Sequence, residues 1–370
     1  MRRPPPGGAK TPIEMSEARE PEPNVSVIIP TYNRAEDLPR AVASVLDQTR
    51  PVLEIIIVDD GSEDDTDAVV AELAGPIRYL RQENAGVYSA RNVGMKVSSG
   101  SLIAFLDSDD RWHPRKLEIQ IEAMARFPDA GWSATNLVVV DEDGTPVEGS
   151  PGLERAVPVF GDVGMSPGEW FGTRLDRSSV PSGNDNDAPV YYGDAFGLLL
   201  NGNFVFPSTL MLRRTLMDEV GLFDPSFRRA GDNEYGLRLA AAREGILVDK
   251  PLTEYRQGAS DQLTNPAHTH ELTRSALRSL DRGRNLREPL SEYERSSYHA
   301  GRRRVLLRQA YEHLSNLDPA AARRTLSELE GREERLGLKG TGLLAASLLP
   351  PAALQLLGSV KRKATRNLDA

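Results

Sequence analysis

The 370-residue sequence contains no cysteine, which excludes disulfides, thiolate nucleophiles, zinc fingers and iron–sulfur clusters and confines any metal to oxygen or histidine ligands. Histidine is scarce, at five residues, so a carboxylate site for a hard cation is the favoured form. Positive charge is in deficit: 45 Lys and Arg face 54 Asp and Glu, for a net charge of -9, and the basic footprint of a nucleic-acid binder is missing. Nucleic acid is therefore not an expected partner. Neither a GxGxxG motif nor a P-loop lysine occurs, which leaves nicotinamide and ATPase chemistry without support. No apolar stretch follows Arg2 and Arg3, so residues 1–24, with prolines at 4, 5, 6, 12, 21 and 23, read as a disordered tail and not as a secretory signal.

What is present is ordinary for a globular protein: 39% hydrophobic and 27% charged residues, too apolar for a disordered chain. The length suits two domains, or one large domain with an appendage. From Val25 to Pro30 runs a short β-rich stretch, and Leu38, Val42, Val45 and Leu46 then follow at helical spacing. The pattern repeats with Glu54 to Val58 and a helix from Asp64 to Leu73, then with a strand around Ile77–Leu80 and a small-residue helix from Val87 to Val97. A fourth apolar run, Leu102 to Leu106, leads directly into Asp107-Ser108-Asp109-Asp110. Continuous apolar strands alternating with helices predict a mostly parallel sheet covered on both faces, which binds ligands outside the carboxyl ends of its strands.

The expected organisation is an α/β domain over 25–265, with halves at 25–130 and 131–265, and a helical appendage over 266–338 whose composition shifts to Arg, Glu and Leu. Trp132–Val140 reads as a strand and Asp232 to Arg243 as a helix, whereas 141–190, rich in Gly, Pro, Asp and Ser, reads as a long variable loop. The segment 339–370 is apolar and then basic. No charged residue falls between Gly340 and Val360, and Lys361-Arg362-Lys363 follows. Pro350-Pro351 argues against a straight span. Two readings stand for 340–363: interfacial helices giving a peripheral membrane contact, or packing against the appendage.

Three carboxylates within Asp107-Ser108-Asp109-Asp110 repel one another, and at the end of a buried strand they concentrate charge that a divalent cation bridging to a diphosphate would neutralise. The competing reading is a solvated turn. Asp59-Asp60 ends a neighbouring strand, where it suits either helix capping or a contact to a base or ribose. Pro30-Thr31-Tyr32-Asn33 adds an aromatic face and polar groups at the same sheet edge, which suits a nucleoside.

In order and spacing, Val25 to Arg34, Ser44 to Thr49, Ile57 to Ser62, Ala90-Arg91-Asn92-Val93-Gly94 and Phe105 to Asp110 resemble the family 2 glycosyltransferases of the GT-A fold. Asn203 to Thr209, Gly221-Leu222-Phe223-Asp224 and Gly231 to Leu239 resemble the acceptor-side blocks of that family. The resemblance implies a GT-A sheet and an inverting transfer of sugar from a nucleoside-diphosphate donor to a hydroxyl of a glycan or lipid-linked acceptor. It implies donor binding by Pro30, Thr31, Tyr32, Asp60, Arg91 and Asp107, with Asp60 facing the base. Asp107 and Asp109 match the metal motif for Mg2+ or Mn2+, and Asp110 is a further candidate ligand. Asp232 matches the general base, and Glu234 is its rival. The preceding Glu of the family is replaced by Gly231. Gly258 stands where many members carry a His toward the leaving group, so that function is either absent here or supplied by His268 or His270. Capping of a helix is the structural alternative for Asp232. Two other classes remain: a catalytically silent nucleotide-sugar-binding protein, suggested by Gly231 and Gly258, and a nucleotidyltransferase, which lacks its Gly-rich phosphate loop here. The implied location is cytoplasmic, peripheral at the inner face of a membrane.

Overall fold

A computed structural model describes residues 24–147, 152–181, 187–257, 269–330 and 337–349. Four parallel strands form its first half: β1 (Val25–Thr31), β2 (Glu54–Asp59), β3 (Ile77–Arg81) and β4 (Leu102–Phe105), with β1 between β2 and β4. Their connections are α1 (Leu38–Leu46), α2 (Thr66–Glu72) and α3 (Val87–Val97). Alternation along β1 divides the core in two. Val25, Val27 and Ile29 face a cluster containing Leu38, Val42 and Val45 of α1, while Ile28 faces Tyr88 and Met95 of α3. Burial on both faces is what makes these strands legible as uninterrupted apolar runs. Gly94 permits the close seating of α3, since a Cβ there would lie 2.5 Å from Cγ2 of Ile28.

The sheet continues through β5 (Arg111–Trp112), α4 (Lys116–Arg126) and β6 (Trp132–Val140). The expected loop over 141–190 is corrected: α5 (Leu153–Ala156), α6 (Pro158–Val163) and α7 (Pro167–Gly172) lie within it, followed by the antiparallel pair β7 (Asp176–Val180) and β8 (Ala188–Gly193). Helices this short present no helical period, yet Trp170 and Phe171 are buried in the main core against Phe204, and Phe160 packs on both of them. Next come α8 (Phe196–Asn201), β9 (Met211–Arg213), α9 (Arg214–Val220), α10 (Gly231–Ala242) and β10 (Gly245–Arg256).

The strand order is β3-β2-β1-β4-β9-β6-β10-β8-β7, with β5 paired to β10. The long strand β10 has no clear sequence signature, because Asp249, Lys250 and Pro251 interrupt it where its register against β6 shifts.

Beyond it lie α11 (Thr269–Gly283), α12 (Glu292–Ser315), α13 (Pro319–Glu330) and α14 (Gly337–Ser347). The appendage is partly fused to the α/β body, since Leu280 of α11 and Tyr298 of α12 belong to the main core. A smaller cluster joins α12, α13 and α14, with Leu306 and Leu326 buried and Leu343 and Leu344 packed on them. Among the described residues no helix is long and apolar enough to cross a membrane. The tail 1–23, Gly258, His268 and 350–370 lie outside the described residues.

Candidate active site

A cleft of about 1920 Å³ opens at the carboxyl ends of β1, β2 and β4 and extends to α12 and α14. That exceeds the roughly 300–1,000 Å³ of an ordinary small-ligand pocket, so it has room for two ligands side by side. Its wall includes Pro30, Thr31, Tyr32, Asp60, Arg91, Asp107, Asp109, Asp110 and Asp232, so these residues share one cavity, whereas Glu234 and His270 do not line it.

On the expected donor side, Thr31 is buried and its hydroxyl has no hydrogen-bond partner among the described residues, while Tyr32 is exposed at the rim. Asp60 is engaged locally: Oδ1 accepts from Gln82 Nε2 at 2.6 Å and the Ala85 amide at 2.9 Å, and Oδ2 accepts from the Gly86 amide at 2.8 Å. It therefore fixes the turn that opens α3, a role that the base-facing expectation did not include. Asp59 points away from the cleft and accepts from the Ser62 amide and the Tyr79 hydroxyl, each at 2.7 Å. Burial and the second of these bonds together push the Tyr79 phenol up to about 12.

Arg91 is buried, and its guanidinium donates to Asp107 Oδ1 at 2.5 Å. Burial opposes its charge, but Asp107 more than offsets this and holds the group above its ordinary value. Asp109 approaches Arg34, with 4.0 Å between Oδ2 and Nη2. Asp110 differs from both. Its Oδ2 accepts from the Ser208 hydroxyl at 2.5 Å, its Oδ1 accepts from the Arg256 amide at 3.0 Å, and Ser208 Oγ accepts from the Asp107 amide at 3.0 Å. Burial, then the neighbouring Asp109 and Asp107, push its carboxyl well above the usual range. Asp110 thus ties the acidic turn to β10, with both oxygens occupied by protein donors.

Among the described residues no group of three or more His, Asp or Glu encloses a metal site. Asp107 and Asp109 nevertheless fit a magnesium-type ion, which one or two carboxylates hold together with substrate phosphates.

On the acceptor side, Asp232 stands in the first turn of α10, after Ala230 in the left-handed region at φ 52°. Its Oδ2 accepts from Asn203 Nδ2 at 2.9 Å and its Oδ1 faces the Tyr88 hydroxyl at 3.4 Å. Burial raises its carboxyl above the ordinary value, and Arg91 works against that rise. Glu234 is buried and held by both carboxylate oxygens to Arg238, with two bonds of 3.0 Å. Arg238 also donates to the carbonyls of Val220 and Leu222, so Glu234 serves the packing of α9 on α10. His270 packs on His313 of the appendage at 5.4 Å between ring centroids and does not line the cleft.

Asn203 and Tyr88 escaped sequence reasoning as partners of Asp232. Asn203 lies in a block that the resemblance had marked, and Tyr88 stands two residues before another.

Residues 26–154 match the family model described as Glycosyl transferase family 2. Curated relatives include an uncharacterized glycosyltransferase of Rickettsia bellii, 40% identical over 173 residues, which are 44% of this chain and 25% of that protein. The putative teichuronic acid biosynthesis glycosyltransferase TuaG of Bacillus subtilis is 41% identical over 132 residues, 34% of this chain and 52% of that protein. The UDP-Glc:alpha-D-GlcNAc-diphosphoundecaprenol beta-1,3-glucosyltransferase WfgD of Escherichia coli is 43% identical over 104 residues, 28% of this chain and 41% of that protein. The chain therefore spans between a quarter and about half of these relatives' length. Among solved structures, S. aureus TarS 1-349 in complex with UDP-GlcNAc aligns over 82% of this chain and 88% of its own, with 17% identity and a TM-score of 0.49. Mixed sheet, flanking helices and C-terminal helices agree with the expected GT-A architecture. Through the segment 26–154, the chain is similar to glycosyl transferase family 2.

Proposed function

We propose that the protein transfers a sugar from a nucleoside-diphosphate sugar to an acceptor hydroxyl with inversion at the anomeric carbon. The observation that carries this reading is the placement of Asp232 and the Asp107 turn on one cleft, bridged by Arg91 and Tyr88. Pro30, Thr31, Tyr32 and Arg91 are the donor-side contacts, with the unpartnered Thr31 hydroxyl and the Arg91 charge facing nucleoside and diphosphate. Asp60 supports them by fixing the turn before α3.

In the reaction, the acceptor oxygen forms a bond to the anomeric carbon as the bond to the diphosphate oxygen breaks. The electron pair leaves with the diphosphate, and the acceptor proton passes to Asp232. A raised carboxyl suits a general base because it lies nearer the operating pH. Asp107 and Asp109 would hold Mg2+ or Mn2+, which supplies Lewis-acid stabilisation of the charge on the leaving diphosphate.

TuaG and WfgD carry names that place them in polysaccharide and lipid-linked glycan assembly, and a glycan or lipid-linked acceptor is the corresponding proposal here. Such an acceptor would bring the protein to the inner face of a membrane. Leu348, 70% exposed just past the end of α14, supports a contact there, although Leu343 and Leu344 are spent on the appendage. Flotation of the full chain with anionic liposomes, abolished by truncation after Lys339, tests that contact.

Release of nucleoside diphosphate from a panel of sugar nucleotides, with and without manganese and with Asp232→Asn as control, tests the enzyme reading. No release above the control from any donor, with acceptor glycans supplied, would overturn it.

A further inference from the structure

Position 231 has no room for a side chain. A Cβ there would lie 2.8 Å from both Cε2 and Cζ of Tyr88 and 3.0 Å from the Phe227 Cβ. The Gly231 amide instead donates to the Tyr88 hydroxyl at 2.7 Å. A phenol that accepts from an amide keeps its own hydrogen to give, and Asp232 Oδ1 stands 3.4 Å away.

The ring that carries this hydroxyl is held on all sides. It is buried, stacks on Phe223 at 5.7 Å between centroids, and lies 5.4 Å from the Arg91 guanidinium. Phe223 stacks in turn at 4.0 Å on Tyr235, one turn along α10 from Asp232. Tyr88 is the second residue of α3, immediately after the turn that Asp60 fixes.

We propose that Tyr88 is a positioning residue for Asp232: its hydroxyl, pinned by the Gly231 amide, sets the direction of the carboxylate and joins the acceptor wall to the donor wall of the cleft. The proposal rests on Asp232 as the proton acceptor. The groups facing that carboxylate are Tyr88 and Arg91 from α3, Asn203 from the segment after α8, and the amides of its own first turn. Asn203 fixes one oxygen and Tyr88 the other, so removing the phenol frees the carboxylate to rotate about its remaining bond.

Tyr88→Phe keeps the ring and its stacking while removing the hydroxyl. The direct readout needs no substrate: the carboxyl 13C signal of Asp232, assigned by its disappearance in Asp232→Asn, is titrated in the wild type and in the variant. Loss of a donor to the charged form should move the midpoint upward by about 0.5 pH unit. Gly231→Ala should move it in the same direction by displacing the ring. The double variant should move it no further than the larger single change, as expected of coupled neighbours. An unchanged midpoint in both single variants overturns the proposal.

In turnover of whichever sugar nucleotide of the panel is used, Tyr88→Phe should lower kcat about tenfold, the worth of one hydrogen bond, with donor KM unchanged. An unchanged kcat overturns the positioning role. Retained transfer by Asp232→Asn would instead overturn the assignment of the base, while the titration result stands or falls on its own.

Discussion

On the donor side of the cleft, each functional group sits at the end of a parallel strand or in the first turns of α3, and the bonds that hold Asp60 and Arg91 come from within the first half of the chain. Asp60, for example, is satisfied by Gln82, Ala85 and Gly86 of the adjoining turn. On the acceptor side, Asp232 depends on Asn203 and on Tyr88, the latter from the opposite half of the chain. The first wall is preorganised by secondary structure, whereas the second exists only once α3, α8 and α10 have packed. Damage to donor-side groups should therefore show in ligand affinity, and damage on the acceptor side in turnover.

The largest effect is expected at Asp232. Asp232→Asn should reduce transfer about 10²–10⁴-fold, the usual worth of general-base catalysis, with donor affinity unchanged by calorimetry. Glu234→Gln should leave kcat near wild type and cost about 1.5–3 kcal/mol of stability in denaturant unfolding, since it weakens a charged hydrogen-bonded pair. The reverse pattern would transfer the role of base to Glu234 and dissolve the contrast between the walls.

The next effect is on donor binding. Asp107→Asn removes the charge that Arg91 pairs with and one of the two carboxylates proposed for the cation. Metal-dependent affinity for the nucleoside diphosphate should fall by more than about tenfold, a loss of roughly 1.4 kcal/mol or more. Asp109→Asn should weaken the metal dependence with less disturbance of Arg91. Equal affinity with and without manganese in wild type and both variants would remove the cation from the donor wall.

A smaller and more specific effect is on pH dependence. Burial raises Asp232, and in the proposed role of base it must be ionised, so activity should rise with pH through a limb lying above the ordinary 3.8 of an aspartate. The same shift has a stability cost. With its folded value raised, Asp232 contributes stability below the unfolded value, and that contribution is lost as pH rises through the folded one. Denaturant unfolding across this window should show a shallower fall with pH in Asp232→Asn than in wild type.

No effect on the cleft is expected from the last case, a buried cation that does not line it. Lys116 is fully buried, donates to Gln120 Oε1 at 2.6 Å and lies 4.2 Å from the centre of the Trp112 ring, with burial driving its ammonium well below the ordinary value. No carboxylate pairs with it in these contacts. Lys116→Met should raise stability at neutral pH, as measured by denaturant unfolding, without changing donor affinity, because it removes the penalty of burying an ammonium. Its wild-type penalty should grow as pH falls from the unfolded lysine value through the lowered folded one.

The unequal legibility of the two walls in the sequence has the same origin as their construction. Strands β1, β2 and β4 are buried on both faces and therefore read as apolar runs, and the residues that follow them, Asp60 and Asp107 to Asp110, fall at one sheet edge as a consequence of that alternation. The helices over 153–172 and the β7–β8 pair leave no such trace, because their apolar residues are too few per element to show a period. Strand β10 is equally silent in the sequence, since Pro251 and two charges interrupt it.

By itself, the sequence determined the alternation of strand and helix and the acidic turn after β4, because each rests on local pattern or on a short contiguous motif, whereas Asp232 became a candidate base only through the resemblance of its block to a known family. Tertiary structure alone decided between chemically equivalent groups. It set Asp232 toward Asn203 and Tyr88, whereas Glu234 pairs within its own helix with Arg238, and it separated Asp110 from Asp107 by enclosing the first between Ser208 and Arg256. It also made Gly231 intelligible by filling the space above it with Tyr88. Carboxylates look alike in a sequence; burial, partner and direction distinguish them, and for Asp232 and Asp110 the partners lie far away along the chain.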